Sequence, residues 1–147
     1  MKKIILGLSM LMTVGITSAF ANDEIKVNDK VLPSFGKDFT FAKNVQWHEE
    51  GGYLKARFTI SDMLTEAYYT EEGEFLGCAR NLLFQQLPLT VMHEFNKHYD
   101  ESSVLSVMEV TNSEGTSYRI WLEEGGKKIK VNASSDGDIT VLQKIKK

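Results

Sequence analysis

Along Tyr53–Ile60, YLKARFTI, apolar and polar positions alternate: Leu54, Ala56, Phe58 and Ile60 share one parity, and Tyr53, Lys55, Arg57 and Thr59 the other. A period of two is the pattern of a strand with one buried face and one wet face. VQWHE precedes this run, and TEAYYT and FLGCARNLL follow it, separated by EGG and EEGE, whose glycines suit hairpin turns. A second series, SVLSVMEV, TSYRIWLE, KKIKVNA and DITVLQKI, is punctuated by TNSEG, EGG and SSDG. Ahead of each series the period changes to that of a helix. In DKVLPSFGKDFTFAKNV, Leu32, Phe35 and Phe39 recur at helical spacing, Asn28 or Asp29 can cap, and Pro33 suits the opening turn. In LPLTVMHEFNKHY, Val91, Phe95 and Tyr99 fall at i, i+4 and i+8 behind Pro88.

The order of a helix followed by hairpin-linked strands thus occurs twice. Phe35 and Phe39 match Phe95 and Tyr99, Val45 matches Val104, and EEGEF matches SDGDI, at a spacing of about 60 residues. These correspondences predict an α+β protein of two tandem helix-plus-antiparallel-sheet repeats, residues 29–86 and 87–147. The repeats are expected to form a continuous sheet with helices on one face.

The beginning of the chain adds a destination. Lys2 and Lys3 form a basic head, an apolar run extends from Ile4 to Ile16, and Ala19-Phe20-Ala21 has the A-x-A form of a cleavage site. Residues 1–21 therefore read as a bacterial secretory signal, and 22–28 as a flexible leader. The apolar run is shorter than the about 20 residues a bilayer span requires, so no stable membrane insertion is expected after cleavage. Export would end in the periplasm or outside the cell. Without Lys2 and Lys3, 15 basic residues face 20 acidic ones, a net charge of −5, which argues against a nucleic-acid partner. The basic end, QKIKK, reads as a frayed, solvated tail rather than a binding arm. Cys78 is the only cysteine, so no intrachain disulfide is possible and the apolar core must hold the fold.

FTFAKNVQW, then YLKARF, then AYYTEEGEFLG resembles the PepSY-like family of exported bacterial proteins, also described as beta-lactamase-inhibitor-like. The shared pattern is an aromatic helix end, Ala, Val and Trp, an alternating strand and a Gly turn. Thr40-Phe41 stands where that family often carries a proline. The resemblance implies tandem helix-plus-sheet units and a non-enzymatic, binding type of role. Its motifs are packing residues, so it carries over no active-site residue.

Candidate chemistry is sparse. In MHEFNKHYDE, His93 and His98 are five residues apart, which places them about 140° apart around a helix and prevents chelation of one ion. A solvated helix side explains them. NASSDGDITVLQ has the glycine of a calcium loop at its sixth position, but Asn132, Ser134 and Gln143 stand where ligating acids are needed, so a hairpin at Asp136-Gly137 explains it. Cys78 lies in a strand pattern that suits a small apolar residue better than a nucleophile. No metal, cofactor or catalytic residue is expected. If Leu54, Ala56, Phe58, Tyr118, Ile120 and Leu122 point to the helices, then Tyr53, Lys55, Arg57, Arg119 and Trp121 point away. That face has the aromatic and arginine content of binding hot spots. The expected role is a non-catalytic binding or inhibitor-like module, its partner a protein or peptide of the cell envelope. The rival readings are a small envelope hydrolase, which would need an acid-lined pocket, and a purely structural envelope protein.

Overall fold

The computed structural model describes residues 25–146. The expected secretory signal and the first residues of the leader lie outside them. Within the expected leader, Ile25 and Val27 pack against a hydrophobic cluster.

Helix α1 spans Val31–Asp38. The Asn28 side-chain oxygen accepts from the Lys30 N–H, and its carbonyl accepts from the Val31 N–H, so the first turn is held by one residue upstream. The buried face is Val31 and Phe35; Leu32, expected on that face, is 46% exposed. The spacing i, i+4 selects Val31 once the helix starts there, and Leu32 falls about 100° away. Four hairpin-linked strands follow: β1 Lys43–Glu50, β2 Tyr53–Ile60, β3 Met63–Tyr69 and β4 Phe75–Leu82. A 3₁₀ turn at Phe84–Gln86 leads to α2, Leu89–Asn96, and another at Glu101–Ser103 leads out of it. Then come β5 Val104–Asn112, β6 Gly115–Glu124, β7 Lys127–Ser134 and β8 Ile139–Lys146. No helix among the described residues is long and apolar enough to cross a membrane.

The eight strands make one antiparallel sheet in sequential order. This corrects the expectation of two tandem helix-plus-sheet repeats. β4 and β5 are joined by the α2 excursion, yet they pair from Gly77↔Asn112 to Leu82↔Val107. The bulk of the molecule is therefore a single sheet with two helices of only eight residues each. The correspondences in the sequence report local turn and helix chemistry, whereas the pairing of β4 with β5 is a long-range event that no local pattern encodes. A second correction concerns the basic end. Residues 144–146 belong to β8, with Lys127↔Lys146 and Lys128↔Ile145 in register. Backbone pairing needs no buried side chain, and lysines suit an edge strand because they discourage pairing with another chain.

Both helices pack on the same face of the sheet. Under α1, Val31 and Phe35 meet Leu54, Ala56, Phe58, Ala67 and Tyr69. The rings of Phe35 and Phe58 are 5.1 Å apart and near-perpendicular, an edge-to-face contact. Under α2, Val91 and Phe95 meet Phe84, Val107, Tyr118, Ile120, Leu122, Ile129 and Val131.

Candidate partner-binding face

The alternation that buries Leu54, Ala56 and Phe58 under α1, and Tyr118, Ile120 and Leu122 under α2, turns their neighbours to the opposite face. Tyr53, Lys55 and Arg57 occupy it on β2, and Arg119 and Trp121 on β6. The two groups do not converge. β2 and β6 are four strands apart in the sheet order, roughly 19 Å at about 4.8 Å per strand.

The two ends of this face differ in charge. On β2, Lys55 pairs with Glu50, and the Arg57 Nε lies 4.0 Å from Glu66. Glu66 also accepts a hydrogen bond from the Tyr68 hydroxyl at 3.2 Å. On β6, Arg119 and Trp121 line one recess of about 390 Å³ together with Asn81, Leu105, Met108 and Lys130. Lys130 lies opposite Trp121 in the β6–β7 register, and its Nζ sits 5.2 Å from the centre of the indole ring, a cation–π contact. Burial, and then the positive charge of Arg119, hold the Lys130 ammonium below the ordinary lysine pKa.

The middle of the face is closed although no helix covers it. Tyr68, Ala79 and Val110 are buried there, outside both helix-side clusters. Between Tyr68, Gly77, Val110 and Asn112 lies a small cavity of about 30 Å³ that Arg119 also lines. Arg119 Nη1 is buried and has no hydrogen-bond partner among the described residues.

Sequence reasoning missed Lys130, Met108 and Asn81. Lys130 had a signal: counting back from the two-residue Gly125-Gly126 turn places it opposite Trp121. Met108 had the same signal, since counting back from the Ser113-Glu114 turn places it opposite Arg119; Asn81 had none, because it reaches the recess only through the β4–β5 pairing.

The other candidates are placed apart from this face. α2 ends at Asn96, so His98 lies beyond the helix. Glu94 accepts from Lys97 Nζ at 2.7 Å and lies 3.7 Å from His98 Nε2. Cys78 packs under α1, where burial and the charge of Glu109 push its thiol pKa up, with Arg80 opposing; little thiolate forms. The 132–143 segment is the β7–β8 hairpin, its turn closed by Gly137 N–H to the Ser134 carbonyl at 3.0 Å.

No protein-family model matches this chain, and no curated protein matches it. Solved structures do. A Bacteroides eggerthii protein provisionally assigned to the periplasm superposes with a TM-score of 0.70 at 19% identity, over 80% of this chain and 87% of that one. A BLIP-like protein from Bacteroides fragilis gives 0.69 at 20% identity, over 78% and 82%. A DUF2874 family protein from Bacteroides ovatus gives 0.68 at 19% identity, over 79% and 84%. At this identity the likeness establishes the fold: the chain has the fold of these BLIP-like and DUF2874 proteins.

Proposed function

We propose that this chain is an exported, non-catalytic binding module of the PepSY-like, BLIP-like kind, whose helix-free sheet face captures a protein or peptide in the bacterial envelope. The observation that carries this reading is the composition of that face. It offers Arg119 and Trp121, of the residue types that dominate binding energy in protein interfaces, around a recess, with Tyr53 farther along the same face. The sheet that presents them has eight strands, and both helix-packed hydrophobic clusters lie on its other side. Lys2-Lys3, the apolar run and Ala19-Phe20-Ala21 support export by a cleaved signal to the periplasm or beyond. The periplasmic assignment of one structural neighbour agrees with that destination.

The test is capture from envelope extract, run in parallel with the wild-type chain and with an Arg119→Ala/Trp121→Ala variant. A partner retained by the first and lost by the second, at similar thermal stability, supports the reading. Unfolding of the variant would make the two positions structural, and equal capture by both would place the interface elsewhere.

A further inference from the structure

We propose that the recess around Arg119 and Lys130 is a receptor for an acidic side chain of a peptide partner: the carboxylate sits between the guanidinium and the ammonium, and an apolar neighbour on the peptide lies against Trp121 and Met108. This rests on the binding-face reading above and gives it a ligand chemistry.

Four basic side chains among the described residues are partly buried: Lys55, Arg80, Arg119 and Lys130. Lys55 has Glu50, and Arg80 has Glu109. Arg119 and Lys130 have no carboxylate partner among the described residues, and they line the same recess. They are diagonal neighbours across β6 and β7, since Trp121 is opposite Lys130 and Arg119 is opposite Asn132. Diagonal positions are about 7–8 Å apart at the backbone, a separation that two long cationic side chains can close around one carboxylate. Withdrawing two like charges from water side by side is unfavourable unless an anion joins them. The depressed Lys130 pKa and the unmatched donor at Arg119 Nη1 both register that penalty.

The walls select the kind of anion. Leu105, Met108 and the Trp121 ring give the recess apolar walls. A free inorganic anion would engage the two cations and leave those walls wet. An acidic residue flanked by an aliphatic or aromatic one uses both. A polyanion fits poorly, because only two unpaired cations are grouped here on a chain of net charge −3.

The test is selection of peptides against the whole chain from a random library displayed on phage, followed by affinity measurement with synthetic copies. Enriched peptides should carry Asp or Glu beside an apolar residue. Replacing that acid by its amide, or Lys130→Gln in the protein, should each weaken binding by about tenfold or more, the scale of one charge-assisted hydrogen bond. Arg119→Lys, which keeps the charge, should retain part of the affinity. Peptides that lose binding with Trp121→Ala yet contain no acid would leave the binding face standing and overturn the anion receptor. Failure to enrich any peptide, or enrichment of peptides indifferent to Trp121→Ala, would overturn both. Binding of acetate or inorganic phosphate alone, at affinities matching the peptides, would reassign the recess to small anions and overturn the peptide proposal.

Discussion

The Arg80 Nε donates to the Glu109 carboxylate at 2.6 Å across the β4–β5 pair, on the helix-side face of the sheet. The ion pair stands between Cys78, which packs on the cluster under α1, and Leu82, which packs on the cluster under α2. The core is thus divided by a polar seam at the strand pairing that joins its two halves. Glu109→Gln should destabilise the protein by about 1–2 kcal/mol, because Arg80 is left partly buried without its acid while still reaching some solvent. Arg80→Leu/Glu109→Leu should be closer to wild type than the single change, since the unpaired charge is gone. Urea unfolding of the three chains at neutral pH checks both statements; equal losses for the single and double variants would contradict the argument.

The β3–β4 turn is seated on the start of α1. A Cβ at Gly73, where φ is +88°, would lie 2.6 Å from the Lys30 carbonyl oxygen. Gly73→Ala combines an unfavourable left-handed backbone with a backbone collision, and should cost about 2–4 kcal/mol. Gly51 has φ +60° but nothing within 4 Å. Gly51→Ala should therefore cost only about 1 kcal/mol, the conformational part alone. Thermal melts of the pair measure the difference directly.

Phe95 is fully buried and stacks between Phe84 and Tyr99, with ring centres at 5.1 and 5.3 Å. Phe95→Ala should remove about 3–5 kcal/mol by transfer and cavity terms. Leu89, in the same helix, is 80% exposed. Leu89→Ala should shift stability by less than about 0.5 kcal/mol. A large effect at Leu89 in a dilute sample would mean that the residue is covered in solution.

Tyr68 and Tyr69 both have pKa values raised above the ordinary tyrosine range, chiefly by burial. The charge of Glu66 adds to the shift at Tyr68, and the hydrogen bond that Tyr69 donates to Asp38 at 2.9 Å adds to it at Tyr69. A raised acid pKa means that the folded state favours the neutral phenol. The stability this provides is fully present below about pH 10, where the unfolded phenols are also neutral, and is lost as pH rises further. Alkaline denaturation should begin above that point. Ultraviolet titration should show Tyr68 and Tyr69 ionising together with loss of the fold, and Tyr69→Phe should remove part of that pH dependence. Free titration of all five tyrosines near pH ~10 in the folded protein would refute this.

The sequence alone was sufficient for the local elements and for the parity of each strand. Alternation in YLKARFTI and TSYRIWLE assigns Leu54, Phe58, Ile120 and Leu122 to the helix side, and Tyr53, Arg57, Arg119 and Trp121 to the other, as found. Turn glycines and the i, i+4 spacing of Val91 and Phe95 are equally local. Errors entered wherever a partner distant in the chain decides. Leu32 gave way to Val31 because the sheet beneath sets the rotation of α1. Residues 144–146 became a strand because β7 offers an open edge. The two apparent repeats are not separate units: β5 pairs with β4 across α2 inside one eight-stranded sheet that carries two short helices.

Tertiary structure alone decided which polar groups meet. Local pattern placed five side chains on one face but could not say that β2 and β6 stand four strands apart, or that Glu50 and Glu66 neutralise one end. It also could not join Asn81 to Met108, Arg119 and Trp121 around one recess. Periodicity is a property of neighbours along the chain and is written in every segment. Charge balance and cavity shape are properties of neighbours in space, and they exist only once the strands are in register.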